Sequence, residues 1–242
     1  MAKRAKRTRR AAKSQDRGTN WWIIGGISAV GVVALFALLF LTLQAADSPE
    51  PTSTPIQGQP LAEYCEENPD RCQTKGADDA PVTIVEVSDY GCSHCKNFNL
   101  DTAGLLEDLY VTPGQVKWVV LPFALGIQTV PASASAMCAA EQDAFFPYHT
   151  QLFRQQGDPD AMTKANFRRA AEVVGLDMDA FGQCIDEGRY NNTVQLNSVA
   201  AGEAGVGSTP TFFINGEIMP GNRPLPVFQQ QINAILGETG AN

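Results

Sequence analysis

Two cysteines separated by two residues, in the segment Cys92-Ser93-His94-Cys95, form the part of the sequence best suited to chemistry. They follow a short apolar run, and apolar residues at helical spacing come after them, so a helix is predicted to start near Cys92. Unpaired N–H groups and the helix dipole favour a thiolate there, and His94 adds a hydrogen-bond donor or a positive charge. A stabilised thiolate makes the disulfide form a strong oxidant. We therefore predict a redox pair, with Cys92 attacked from outside and Cys95 as the buried resolving thiol.

The same spacing also occurs in structural disulfides and in zinc sites. A structural disulfide is not usually placed at a helix start that follows a strand. A zinc ribbon needs a second closely spaced pair, whereas six residues rather than two to four separate Cys65 from Cys72. The sequence therefore favours redox chemistry, and it predicts neither a metal site nor a cofactor.

Two other residues could complete such a site. Glu86 interrupts the apolar run six residues before Cys92. If it is buried, its pKa is raised and it can pass a proton to and from Cys95; the alternative is that it faces solvent at a sheet edge. Thr209-Pro210 precedes another apolar run, and X-Pro bonds are the usual place for cis peptides. A cis-proline turn would leave backbone free to pair with an extended substrate chain, and the alternative is an ordinary trans turn.

The surrounding residues predict an α/β domain that holds these groups. Residues 82–88 and 116–123 are apolar, β-branched runs on either side of the predicted helix, which indicates a βαβ unit with two parallel strands. Ala-rich and amphipathic stretches between about 126 and 204 predict an inserted helical subdomain. Residues 211–219 contain Asn-Gly between apolar runs and predict a β-hairpin, and residues 224–236 predict a closing helix.

The segments EVSDYGCSHC (86–95) and GSTPTFFINGE (207–217), with the βαβ unit and the insert in this order, resemble the DsbA-like branch of the thioredoxin superfamily over about residues 62–238. The resemblance implies a thioredoxin fold and a protein-disulfide oxidoreductase, with Cys92 attacked, Cys95 resolving, Glu86 as the buried acid and Pro210 as the cis-proline.

The helical insert carries part of the resemblance as well. The stretch from Phe145 to Phe153 is similar to the helical domain of that branch, which favours a packing or hydrogen-bonding role for His149 over the alternative of a catalytic one. One position departs from the pattern: Ser93 stands where the best-known members have proline. Because this residue lies between the two cysteines, the departure leaves the redox potential open.

Four further cysteines bring the total to six, a number that permits 15 pairings. Cys138 and Cys184 fall on predicted helices of the insert, 46 residues apart, and a disulfide between them would stabilise the domain by up to roughly 4 kcal/mol. Cys65 and Cys72 bracket a turn-like segment and are expected to form a local disulfide. The alternative for this second pair is a relay that passes electrons to the active cysteines.

The N-terminal part of the chain predicts a membrane anchor. Residues 1–20 contain eight Lys or Arg and one Asp, whereas the whole chain carries a net charge of −8. Residues 21–43 carry no charge and are long enough to cross a bilayer, so a cytoplasmic tail and an extracytoplasmic domain are predicted. A cleaved signal peptide is the alternative. Residues 44–60, rich in Pro, Ser and Thr, predict a flexible linker to the domain at 61–242.

Three functions are compatible with this organisation. The first is disulfide formation in exported proteins, for which the resemblance implies reoxidation by a quinone-linked membrane partner of the DsbB or VKOR type. The second is a reductase or isomerase that uses the same residues. The third is a non-enzymatic thiol or metal-binding module, although no obvious Met or His set lies near the pair to complete a soft-metal site. A nucleic-acid partner is not predicted, because a basic tail beside a membrane span is the commoner arrangement.

Overall fold

The computed structural model describes residues 60–239. The predicted tail (1–20), the predicted span (21–43) and all but the last residue of the predicted linker (44–60) lie outside this range. None of the helices within it combines the length and the apolar composition needed to cross a bilayer.

The described residues form a mixed β-sheet with strands in the order β1-β3-β2-β4-β5. The strands are β1 (Gln73–Lys75), β2 (Val82–Ser88), β3 (Val116–Pro122), β4 (Thr211–Ile214) and β5 (Glu217–Pro220). Strands β2 and β3 are parallel, and the other neighbouring pairs are antiparallel. The parallel pair confirms the predicted βαβ unit.

Nine helices, one of which continues as a π-helix, surround the sheet within the described range. They are α1 (Leu61–Glu67), α2 (Ser93–Asp101), α3 (Ala103–Leu106) with its π-helical continuation (Glu107–Val111), α4 (Val130–Ala140), α5 (Phe145–Gln155), α6 (Lys164–Val174), α7 (Met178–Glu187), α8 (Asn191–Glu203) and α9 (Leu225–Thr239). Helices α4 to α8 form the insert between β3 and β4. Gly175 and Gly188 end α6 and α7 in the left-handed conformation, which glycine adopts without a steric penalty.

The two central strands are covered on both faces, as a parallel pair requires. Alternate residues therefore enter two cores. Ile84 and Trp118 lie in the larger core, which also contains side chains of α2, α9 and the insert. Val85 and Val119 lie in the smaller core with side chains of α1 and α8.

The hairpin and the N-terminal elements differ in how well the sequence predicted them. Asn215 and Gly216 have positive φ values of 46° and 86°, as a two-residue type I′ turn between β4 and β5 requires. Helix α1 and strand β1, by contrast, were not predicted. The segment after Cys65 was expected to be turn-like, and this was wrong for Glu66 and Glu67, which continue α1. The missed elements are short, with seven and three residues, so they carry little periodic signal.

Candidate active site

Cys92 and Cys95 lie at the start of α2, directly after the loop that follows β2. Cys92 is the N-cap residue and is partly exposed, whereas Cys95 is completely buried one turn later. Both thiols are free in this structure. Burial raises the pKa of the Cys95 thiol well above its ordinary value. The pair therefore consists of one accessible sulfur atom and one that is protected. His94 lies between them on the exposed side of the first turn.

A buried aspartate fixes the loop that presents Cys92. The carboxylate of Asp89 accepts hydrogen bonds from the backbone N–H of Gly91 (2.6 Å), the backbone N–H of Leu125 (2.7 Å) and the hydroxyl of Thr129 (2.6 Å). The Asp89 carbonyl also accepts from the N–H of Cys92 at 3.0 Å. These bonds tie the loop before Cys92 to the loop after β3. Sequence reasoning missed Asp89, although an acid directly after a strand and three residues before a reactive cysteine was a usable signal.

The loop before β4 brings the second predicted element to the same place. The Thr209–Pro210 peptide bond is cis, so the alternative of a trans turn was wrong. The Cys92 thiol donates to the carbonyl oxygen of Thr209, with an S–O distance of 3.2 Å. The accessible sulfur atom therefore lies beside a backbone segment that precedes a strand.

Glu86 is buried in the middle of the sheet. It is 1% exposed, and its strand β2 lies between β3 and β4, so the alternative of a solvent-facing acid at a sheet edge was wrong. Its carboxyl oxygens accept hydrogen bonds from Ser88 Oγ (2.5 Å), Asn99 Nδ2 (2.9 Å) and Trp118 Nε1 (3.1 Å). Burial raises the pKa of Glu86, while these three hydrogen bonds oppose the rise. Desolvation is the larger effect, so this group can hold a proton at a higher pH than an exposed glutamate.

Comparison with known proteins identifies the family. A family model described as thioredoxin matches residues 70–234. The chain belongs to the thioredoxin family. BdbD from Bacillus subtilis, in its oxidised form, aligns with a TM-score of 0.64 at 23% identity over 75% of this chain and 98% of that structure. DsbA from Chlamydia trachomatis aligns with a TM-score of 0.64 at 18% identity over 70% of this chain and 93% of that structure. At these identities, the structural likeness shows the fold alone.

Curated relatives add sequence similarity. Disulfide bond formation protein D of Bacillus subtilis is 25% identical over 60% of this chain and 68% of the relative. The Na(+)/H(+) antiporter NhaA 3 of Salinispora tropica is 34% identical, but the chain spans only 22% of its length. Together with the thioredoxin match, these findings place the chain in the thioredoxin superfamily, with a fold similar to that of BdbD and DsbA.

A polar cavity leads to the buried acid of this thioredoxin-family domain. Its volume is about 410 Å³, and its lining includes Glu86, Asn99 and His149. Lys75 of β1 also lines it and forms an ion pair with Glu107. Sequence reasoning did not identify Lys75, because β1 itself was not predicted.

His149 contributes a hydrogen-bonding side chain from the insert. It is 4% exposed, and its Nδ1 atom lies 2.7 Å from the hydroxyl of Tyr90, while Nε2 lies 2.8 Å from Oδ1 of Asn99. Burial lowers the pKa of His149 to about 3, so the ring is neutral at physiological pH. Its Nε2 is 4.0 Å from Glu86, and because the ring carries no charge, this contact is not an ion pair.

The four remaining cysteines are paired away from the reactive thiols. Cys138 of α4 is joined to Cys184 of α7, with Cα atoms 5.8 Å apart, and this bridge connects two helices of the insert. Cys65 is joined to Cys72, with Cα atoms 5.5 Å apart. These are the two pairings that the sequence favours. Within residues 60–239, no cluster of three or more His, Cys, Asp or Glu side chains could hold a metal ion.

Proposed function

We propose that the protein is a membrane-anchored, extracytoplasmic thiol–disulfide oxidoreductase that forms disulfides in exported proteins. The observation that carries this proposal is the contrast between the two cysteines. Cys92 is partly exposed at a helix N-terminus beside the Thr209 carbonyl, whereas Cys95 is completely buried. An incoming thiolate can reach only the first sulfur, and the second is held where it can resolve a mixed disulfide.

The reaction then has two thiol–disulfide exchange steps. In the first, a substrate thiolate attacks Cys92, so that a mixed disulfide forms and the Cys92–Cys95 bond breaks, with Cys95 as the leaving group. In the second, another substrate thiolate attacks the substrate sulfur of the mixed disulfide and releases the Cys92 thiolate. The substrate dithiol is oxidised to a disulfide by two electrons, and the enzyme disulfide is reduced.

Glu86 supplies and removes the proton of the leaving thiol. Cys95 leaves as a thiolate, but burial strongly favours its neutral form, so it must take up a proton. Glu86 is buried and has a raised pKa, which allows it to carry that proton into the core of the domain. When the pair is reoxidised, Cys95 must lose the proton again, and the carboxylate then acts as the base.

The extracytoplasmic location rests on two independent features. Disulfides persist in oxidising compartments, and this domain contains two away from its reactive pair. Residues 1–43 have the charge pattern of a cytoplasmic tail followed by a membrane span.

The relative from Bacillus subtilis is itself named disulfide bond formation protein D, which supports the direction of the proposed reaction.

The proposed partners follow from the electron balance. Unfolded exported proteins supply the thiols, and their backbone can pair with the segment at Thr209 in extended form. Each turnover leaves two electrons on the cysteine pair, so an oxidant must remove them. We assign this role to a quinone-linked membrane protein of the DsbB or VKOR type.

Two measurements on the full chain test the direction of the chemistry. The first is the Cys92–Cys95 reduction potential, obtained by equilibration with glutathione buffers; the second is the ability of the oxidised protein to introduce disulfides into a reduced, unfolded substrate. A potential well above that of thioredoxin, together with substrate oxidation that is absent in Cys92→Ser, supports the proposal. A potential near that of thioredoxin, about −270 mV, together with reduction of substrate disulfides, would replace the oxidase by a reductase.

A further inference from the structure

The insert contributes a polar side chain, that of His149, to the surroundings of the buried acid. His149 lies on α5, and its ring is packed against Phe145 and Phe153, with ring centroids 5.4 Å and 4.9 Å away. Both ring nitrogens lie within hydrogen-bond distance of a polar atom, on Tyr90 and Asn99. The imidazole is therefore held in one orientation by aromatic rings and by two polar partners.

The hydrogen-bond roles in this group follow from the atoms involved. Asn99 Nδ2 donates to Glu86 Oε1 at 2.9 Å and to the Cys95 carbonyl at 3.3 Å, so Oδ1 of Asn99 faces His149. An amide oxygen accepts only, so Nε2 of His149 must carry the proton. Nδ1 of the neutral ring is then an acceptor, and the Tyr90 hydroxyl donates to it. Each contact in this series of hydrogen bonds therefore has a defined donor and acceptor, and the series ends at the carboxyl of Glu86.

A reversed Asn99 amide would have the opposite effect on the acid. Its oxygen would then face Glu86 Oε1, which repels it when Glu86 is ionised, and its NH₂ group would face the N–H of His149. That arrangement requires the other neutral tautomer of His149, in which Nδ1 carries the proton and the Tyr90 hydroxyl loses the acceptor that it has here. Asn99 is thereby kept with its donor on the carboxyl.

We propose that His149 is a positioning residue of the active site, which acts through Asn99 to hold an amide donor on Glu86 and so favours the carboxylate form of this acid. The insert would then help set the pH at which the buried acid exchanges its proton. The inference deepens the proposed function, because Glu86 matters only as the proton carrier for Cys95.

Other groups near Glu86 could also influence its titration. Lys75 of β1 acts on it electrostatically and is itself paired with Glu107, and Glu86 and the Tyr90 phenol also interact electrostatically. Oxidation of the Cys92–Cys95 pair removes the thiols as titrating groups. Lys75 and Glu107 are unchanged in every variant below, so they contribute equally to each.

The test is the titration of Glu86 in the oxidised full chain, followed by ¹³C NMR of labelled glutamate carboxyl groups. The Glu86 signal is assigned by its loss in Glu86→Gln. In His149→Phe, the proton affinity of Glu86 is expected to rise about tenfold, as for the loss of one hydrogen bond to a charged group. His149→Gln keeps an N–H donor near the position of Nε2 and is expected to restore most of the wild-type affinity.

Two further variants separate positioning from packing. Asn99→Leu should raise the proton affinity as His149→Phe does, and the double variant should match Asn99→Leu alone, because one residue acts through the other. Tyr90→Phe removes the hydroxyl that donates to Nδ1 of His149, so the ring is no longer held in one tautomer and the proton affinity of Glu86 should also rise. This variant takes the place of His149→Phe in the test if His149→Phe does not fold.

The proposal is overturned if folded His149→Phe titrates like wild type, if His149→Gln shifts as much as His149→Phe, or if the effects of His149→Phe and Asn99→Leu add. With His149→Phe unfolded, an unshifted Tyr90→Phe overturns it. No substrate takes part in the titration, so a protein that fails to oxidise thiols would refute the proposed function and leave this result unaffected.

Discussion

The buried carboxyl of Glu86 makes a specific prediction about stability and pH. In the unfolded chain this group has the pKa of an ordinary glutamate, whereas in the folded domain burial raises its pKa. At a pH between these two pKa values, Glu86 is protonated in the folded state and ionised in the unfolded state. The free energy of unfolding must therefore fall as pH rises through this window, by about 1.4 kcal/mol for each pH unit. The Glu86→Gln variant has no titrating group at this position, so its free energy of unfolding should lack this dependence on pH.

The difference in the free energy of unfolding between wild type and Glu86→Gln isolates the effect of Glu86 from other titrations. His149 has its pKa lowered to about 3 by burial, so it destabilises the domain as pH falls below the ordinary histidine value. That loss occurs in both proteins and cancels in the difference. The amide of Glu86→Gln also places an NH₂ group among the three donors on Ser88, Asn99 and Trp118, which adds a cost that does not depend on pH. The slope with pH, rather than the difference at any one pH, is the quantity to compare.

The assay is urea unfolding of both proteins from pH 4 to pH 8, with the Cys92–Cys95 pair oxidised and the other disulfides intact. The stability of Glu86→Gln relative to wild type should increase by about 1.4 kcal/mol per pH unit from about pH 4.5 upward, then level off at the folded pKa of Glu86. A relative stability that is constant over the whole range would show that Glu86 has an ordinary pKa in the fold. A relative stability that decreases would show that its hydrogen bonds outweigh its burial.

Three other predictions follow from the cysteines and the chain's organisation. Removing the 46-residue cross-link in Cys138→Ala/Cys184→Ala should lower the free energy of unfolding by about 4 kcal/mol in urea titrations, and a loss below about 1 kcal/mol would contradict the loop-entropy argument. Cys95→Ser should accumulate mixed disulfides on Cys92 that intact mass spectrometry detects, whereas Cys92→Ser should give none; equal trapping by both variants would refute the assigned roles. In intact cells, a protease that cannot cross the membrane should degrade residues 61–242, and protection until the membrane is opened would refute the proposed topology.

The sequence was most informative where local pattern determines structure. The apolar runs around the reactive cysteines predicted β2, β3 and the start of α2, since strand and helix periodicity are local properties. The predicted insert, about 126–204, corresponds to α4 to α8, which run from Val130 to Glu203. Its helix ends were signalled by glycines that adopt the left-handed conformation.

The parts that escaped prediction depend on contacts between distant residues. Asp89 is 36 residues from Leu125 and 40 from Thr129, and His149 is 50 residues from Asn99. No pattern within a single segment shows that these side chains will meet. Sequence reasoning could place Glu86 near Cys92, but the choice between a buried and an exposed acid required knowing that β2 is a central strand.

The geometry also separates the place where sulfur reacts from the place where protons can be exchanged. Cys92 lies against the loop at Thr209, which is where disulfide exchange takes place in the proposed reaction. The cavity that reaches Glu86 has neither reactive cysteine nor Thr209 in its lining, and Lys75 lies on it instead. Solvent can therefore approach the acid without passing the bound substrate. A substrate chain that covers Cys92 would leave this second approach open, so in the proposed reaction Glu86 could exchange its proton with solvent while the mixed disulfide is in place.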